Sequence, residues 1–155
     1  LITIIIPRHI DRVGEIINKV KLNNLNYVTY SSKKKIGENA DIYLVDAYGV
    51  TSNFFNLSNI TFVGGSLIKH GGQNPLEPAR QGNYVISGPN ISNFSEIYAF
   101  LIKNNASIVT SDLSKIERII NSKLNKKITK YTKGKINNIG LEILNKNLFH
   151  IRKYL

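Results

Sequence analysis

The sequence has no cysteine, no methionine and no tryptophan. Without cysteine there is no disulfide scaffold, no thiolate metal site and no thiol nucleophile. No apolar run approaches the ~18 residues of a membrane span, and no basic, apolar, small-residue pattern opens the chain as a signal peptide would. Acidic residues are scarce too: ten Asp and Glu stand against 21 Lys and Arg, for a net charge of +11. The lack of any methionine, with Leu1 already inside a strand-like run, is read as the mark of a piece of a longer chain.

What is present suits one packed domain. The chain has 155 residues, of which 42% are hydrophobic and 20% charged, a balance that excludes wholesale disorder. The positive excess is uneven. Residues 1–100 carry nine Lys/Arg against seven Asp/Glu, and residues 101–155 carry twelve against three. A basic half of this kind fits anionic lipid headgroups, nucleic acid or an anionic substrate. It also fits solvated surface in a chain where Ile, Asn and Lys are all abundant.

Leu1–Ile6 is a nearly unbroken apolar run ended by Pro7, the pattern of a buried parallel strand. From Ile10 the period changes. Ile10, Val13, Ile16, Ile17 and Val20 recur at helical spacing, with Asp11 and Glu15 near the favourable N-terminal end. Tyr27–Tyr30 and Asp41–Asp46 are strand candidates on either side of a solvated turn at Lys33–Lys35 and Gly37. Phe54, Phe55 and Leu57 fit a short helix after Gly49. Ile60–Val63 predicts another buried strand. A short helix from Asn74 or Pro75 to Gln81 and a strand over Tyr84–Ser87, stopped by Gly88-Pro89, come next. Phe94, Ile97, Tyr98, Leu101 and Ile102 make one helix face, and Ser107–Thr110 a short strand. Asp112 is the N-cap candidate of a helix with Leu113, Ile116, Ile119 and Ile120 inward. Lys123–Lys135 is polar and basic, and Ile136–Tyr154 reads as a long terminal helix.

Short apolar strands alternating with amphipathic helices predict an α/β fold, a Rossmann-like parallel sheet with helices on both faces. In such sheets ligands sit outside the carboxyl ends of the strands. That rule selects three loops: Pro7-Arg8-His9, Asp46–Val50 and Gly64–Glu77.

The third loop is the richest. Gly64-Gly65 and Gly71-Gly72 let the backbone turn sharply and approach a ligand without Cβ clashes, with Ser66 between them. The chain then enters a helix at Pro75, where a missing N–H costs nothing. Free N–H groups at such an end favour an anion by ~0.3–1 kcal/mol, with phosphate the natural occupant. Asn74 and Glu77 also have the spacing of a capping box, although Pro78 deletes a donor that a standard box leaves to the helix. Arg8 follows a strand and a proline, where its guanidinium can hold a phosphate through two parallel bonds. His9 and His70 have no third partner at metal-ligand spacing, so no bound metal is expected. Tyr48-Gly49-Val50 is a strand-end turn whose backbone N–H groups could read a base or a phosphate.

As a block, Phe62–Ser66, Gly71-Gly72 and Asn74-Pro75-Leu76-Glu77-Pro78 resemble the donor-binding half of the transferases of 3-deoxy-D-manno-octulosonic acid (Kdo) in lipopolysaccharide synthesis. Pro7-Arg8-His9, and Asp46 with Gly49, reinforce the likeness, which runs in order from Pro7 to about Leu124. The resemblance implies the C-terminal half of a GT-B glycosyltransferase, with residues 1–155 as the CMP-Kdo domain and the N-terminal acceptor domain absent from this chain. It implies an inverting transfer of Kdo from CMP-Kdo to a lipid A precursor, at the cytoplasmic face of the bacterial inner membrane, with no cofactor and no nucleic-acid partner. It assigns CMP contacts to Pro7, Arg8, Tyr48, Gly49, Val50, Asn74, Pro75, Leu76 and Glu77, supported by Gly64, Gly65, Ser66, Gly71 and Gly72. Arg8 and the helix end near Asn74 would meet the phosphate, Glu77 the ribose hydroxyls, and the backbone around Gly49 the cytosine. The general base is a Glu of the N-terminal domain, so residues 1–155 alone are expected to bind nucleotide and transfer no sugar.

The chain departs from the family pattern in places. Asp46-Ala47-Tyr48-Gly49-Val50-Thr51 stands where the family usually has Asp-Thr-x-Gly-Glu-Leu, Gln73 where it often has His, and Lys69 where it commonly has Pro. Two other functions also fit these residues. One is a GT-B nucleotide-sugar epimerase, told apart by a uridine preference. The other is a basic module for membranes or RNA, for which Tyr131 alone interleaves an aromatic between Lys130 and Lys133.

Overall fold

The computed structural model of the chain describes residues 1–69 and 71–152. Two compact units divide it, Leu1–Phe54 and Phe55–Leu155. His70 and Tyr154, both singled out above, lie outside the described residues.

The first unit holds β1 (Thr3–Ile5), α1 (Val13–Leu22), β2 (Tyr27–Thr29) and β3 (Ile42–Leu44), and the helix α2 (Thr51–Phe55) begins at its end. Its sheet has the order β1-β3-β2 and is parallel throughout. The central strand is the most buried, with Ile42 and Leu44 inside. Val20 of α1 completes this core, and Val13, Ile16, Ile17, Tyr27 and Ile5 pack around it. The predicted helix face is therefore the one that packs. The opening run differs from expectation: its strand is three residues long and none of them is fully buried, because β1 is an edge of its sheet.

The second unit holds β4 (Ile60–Val63), α3 (Leu76–Arg80), β5 (Tyr84–Ser87), α4 (Ser95–Lys103), β6 (Ser107–Val109), α5 (Leu113–Lys123) and α6 (Lys130–Ile151). Its sheet has the order β4-β5-β6, again all parallel. Central β5 buries Val85, Ile86 and Ser87, while edge β4 leaves Phe62 exposed where the apolar run predicts burial. Val85 joins Val63, Ala79, Tyr98, Leu101, Ala106 and Ile136 in one core. Ile86, next along the strand, points to the other face, as strand alternation requires. Strand pairing stays within each unit, so the predicted sheet is two three-stranded parallel sheets.

Helix boundaries carry further corrections. Asp112 caps α5 as expected, its carboxylate accepting from Lys115 N–H at 3.1 Å. Leu113, however, is exposed, and Ile116, Ile119 and Ile120 are only half-buried. Ile102 of α4 and Leu57 beyond α2 are exposed as well. Leu113 is the first residue of α5, Ile102 the next to last of α4, and Leu57 lies past α2, so each sits where its helix runs out beyond the core. The terminal helix begins at Lys130, six residues before the predicted start, because Thr129 caps it: its hydroxyl accepts from Thr132 N–H at 3.1 Å.

Candidate functional site

In each unit the selected loops follow the carboxyl ends of parallel strands, the edge where α/β sheets bind ligands. In the first unit, Pro7-Arg8-His9 follows β1. Pro7 is half-buried, and Arg8 and His9 are exposed. Arg8 has no hydrogen-bond or ion-pair partner among the described residues. The loop after β3 comes back to this segment: the Tyr48 hydroxyl accepts from Ile10 N–H at 3.4 Å. Gly49 stands exposed at φ +76, and the Val50 carbonyl accepts from Asn53 N–H at 3.1 Å as α2 begins.

Asp46 has a structural partner that sequence reading missed. Its carboxylate accepts from the Ser31 N–H at 2.8 Å and from the Ser31 hydroxyl, tying the end of β3 to the turn after β2. Partial burial raises the Asp46 pKa, but the Ser31 bonds and its own backbone outweigh that and set it below the ordinary Asp value. A lowered folded-state pKa contributes stability that is full above about pH 4 and is lost as pH falls through the folded value. Asp46→Asn is therefore expected to flatten the acid limb of a stability profile, read as urea midpoints between neutral and acidic pH. An unchanged limb would show that the Ser31 bonds hold no net free energy. Glu15 is also lowered, to about 2, by Arg12 and Lys19, but it is exposed and stays the same in both proteins.

In the second unit, the loop after β4 is locked to the segment after β5. Ser66 is fully buried. Its hydroxyl donates to the Val63 carbonyl at 2.7 Å and accepts from Gly88 N–H at 2.8 Å. Its carbonyl accepts from both Asn90 N–H, at 2.9 Å, and the Asn90 side chain, at 3.0 Å. Gly88 packs so closely that a Cβ there would lie 2.5 Å from the Ser66 carbonyl oxygen. Gly71 and Gly72 follow at φ +78 and +73, consecutive left-handed positions that glycine alone adopts without strain. Gly65 is left-handed as well, but Gly64 has an ordinary φ and open space around it, so its place in the motif is not a conformational need.

The entry to α3 differs from the capping-box reading. The helix begins at Leu76 with Pro75 as N-cap, so Glu77 stands one position too early to close a box. Asn74 instead accepts from Leu76 N–H at 3.0 Å. Pro75 and Pro78 have no N–H, so the Glu77 N–H is the one unpartnered donor of this turn among the described residues. With one free donor on a five-residue helix, this end attracts an anion far less than a long helix would. Pro75 is buried, Leu76 half-buried, and Asn74 and Glu77 exposed. The Glu77 carboxylate has no hydrogen-bond or ion-pair partner among the described residues. It is an acceptor beyond the carboxyl end of β4 with no donor to it among the described residues.

No family model matches the chain. Over 156 residues it is 32% identical to the 3-deoxy-D-manno-octulosonic acid transferase of Haemophilus influenzae, a match that covers 100% of this chain and 36% of that protein. Over 122 residues it is 38% identical to the transferase of Rickettsia prowazekii, covering 79% of this chain and 26% of that one. The chain thus spans about a third or less of these relatives' length. The crystal structure of the C-terminal CMP-Kdo binding domain of WaaA from Acinetobacter baumannii superposes on it with a TM-score of 0.76 at 30% identity, covering 88% of this chain and 70% of that domain. The chain belongs to the Kdo transferase family. The fold expected from the resemblance is the fold observed, an α/β domain of parallel sheets and helices like that solved neighbour. Sequence reading missed Ser31 and Asn90, and took Gly88 only as the stop of a strand. Each is a common loop residue type, and its role is a bond to a segment 15 to 24 residues away. Among the described residues no helix is long and apolar enough to cross a membrane.

Proposed function

We propose that this chain is the donor-binding part of an inverting Kdo transferase, holding CMP-Kdo while Kdo passes to a lipid A precursor. The observation that carries the reading is the likeness to a CMP-Kdo binding domain across most of both chains. The reaction breaks the bond between the anomeric carbon and the CMP phosphate as the acceptor hydroxyl attacks and gives up its proton. A donor domain must bind the leaving phosphate and fix the sugar's orientation. The residues available in each unit suit those tasks. Pro7-Arg8 presents an unpartnered guanidinium for the phosphate. Tyr48-Gly49-Val50 offers an exposed backbone turn against the cytosine. Asn74-Pro75-Leu76-Glu77 presents an unpartnered carboxylate for the ribose hydroxyls. The buried Ser66 bonds, with Gly64, Gly65, Gly71 and Gly72, shape the loop that leads to it.

The proton acceptor for the attacking hydroxyl is assigned to an N-terminal domain of the whole enzyme, and the reading uses no metal or other cofactor. The acceptor lipid places the reaction at an anionic membrane surface on the cytoplasmic side, and the basic charge of residues 101–155 suits that surface. Titration calorimetry with CMP and UMP tests the donor reading. CMP is expected to bind at least tenfold more tightly, about 1.4 kcal/mol. Equal affinities, or a preference for UMP, would favour the epimerase.

A further inference from the structure

A cavity of 520 Å³ in the second unit is lined by Lys103, Lys123, Lys126, Lys127 and Lys135 around Tyr84. Among the described residues no carboxylate lines it. It opens where Tyr84 begins β5 and Asn104 and Asn105 lead into β6, so it lies at the amino ends of these strands. The donor loop of this unit, Gly64–Glu77, follows the carboxyl end of β4, at the opposite edge of the same sheet. A smaller cavity of 290 Å³ adjoins it, sharing Lys103, Asn104 and Lys135.

The backbone that carries these lysines is held in place. Between α5 and α6, the Leu124 carbonyl accepts from the Asn59 side chain at 2.6 Å and Ile128 N–H donates to the Gly82 carbonyl at 3.2 Å. Lys127 Nζ donates to the Asn56 carbonyl at 3.2 Å, and Lys123 Nζ stands 5.0 Å from the centre of the Tyr84 ring. The Lys103 and Lys126 ammonium groups have no partner among the described residues. Like charges gathered around one void repel each other, and an anion entering it relieves that repulsion. A site whose backbone is already ordered also gives up less entropy on binding. Ammonium groups on flexible stems act as point charges that follow several phosphates better than one planar carboxylate. The volume lies in the range of small-ligand sites.

We infer that this lysine-lined cavity binds a ligand carrying two or more phosphate groups, at the sheet edge opposite the Gly64–Glu77 loop. A lipid headgroup and a soluble polyphosphate share that chemistry. The lipid case rests on the membrane reading given above, and the soluble case does not.

Two probes separate them: soluble tripolyphosphate, titrated by calorimetry, and phosphatidylcholine vesicles with and without cardiolipin, followed by cosedimentation. Tripolyphosphate is expected to bind the 155-residue chain and to bind the Lys103→Gln/Lys126→Gln variant at least tenfold more weakly. Lys34→Gln/Lys35→Gln, which removes the same charge from an exposed turn of the first unit, should keep wild-type affinity. Cardiolipin-dependent sedimentation that tripolyphosphate reverses would identify the headgroup as the ligand; tripolyphosphate binding without it would identify the soluble class. Equal losses in the two double variants would mean diffuse charge and overturn the inference. So would failure of both probes to bind the wild type, or displacement of tripolyphosphate by CMP. CMP titrations on the same variants keep the two readings apart. Absent CMP binding would remove the donor reading and leave this cavity to stand or fall on tripolyphosphate.

Discussion

Gly88→Ala is expected to destabilise the chain by about 3–5 kcal/mol, a large share of a typical domain's stability. The new Cβ would lie 2.5 Å from the Ser66 carbonyl oxygen and 2.7 Å from Leu67 Cδ2, and the first of these is backbone. A flexible side chain could rotate away, but a carbonyl already accepting from Asn90 cannot move without losing those bonds. Retreat of the loop would also part Gly88 N–H from the buried Ser66 hydroxyl. Unsatisfied buried polar groups cost about 1–3 kcal/mol each. Gly64→Ala is the internal control. Nothing lies within 4 Å of a Cβ there, and its φ is ordinary, so its effect should stay within about 0.5 kcal/mol. Thermal unfolding followed by circular dichroism should show a fall on the order of 10 °C for Gly88→Ala and almost none for Gly64→Ala. Matching midpoints in the two variants would refute the close approach of the two segments.

Glu77→Gln is expected to weaken CMP binding by about tenfold to a hundredfold, the 1.5–3 kcal/mol of a hydrogen bond to a charged group. The side chain is exposed and unpartnered among the described residues, so the unfolding midpoint should not move. A loss of affinity without a loss of stability separates a ligand role from a cap. The ribose assignment adds a sharper condition. With 2′-deoxy-CMP one hydroxyl is gone, so the same substitution should cost less than it does with CMP. An equal loss for both nucleotides would move Glu77 away from the ribose. Wild-type CMP affinity in Glu77→Gln would remove Glu77 from the site altogether.

Sequence pattern was most reliable where one local cause is enough. Ile60–Val63 and Tyr84–Ser87 form strands at the predicted residues, and Asp112 caps its helix. Apolar runs bounded by glycine and proline, and a carboxylate followed by an amphipathic period, are short-range signals. The same signals overreach at element ends. Leu113 and Ile102 fit the helical repeat yet face solvent, because periodicity does not say where the core stops. At Asn74 and Glu77 the capping spacing was correct as a count and wrong as a structure. The helix starts one residue beyond the place the box requires.

By itself, then, the sequence determined the α/β alternation and the family, the latter through the block from Phe62 to Pro78. Those depend on residue identity and order along the chain. Tertiary structure alone decided three other matters. It made Asp46 a partner of Ser31, 15 residues away. It turned Ser66 and Gly88, 22 residues apart, into one locked junction. It brought Lys103 of α4 to the same cavity as four lysines of the basic Lys123–Lys135 stretch, some 20 residues further along the chain. The physical reason is the same in each case. A hydrogen bond or a shared field acts through space between groups that chain order leaves apart, and folding alone sets that distance.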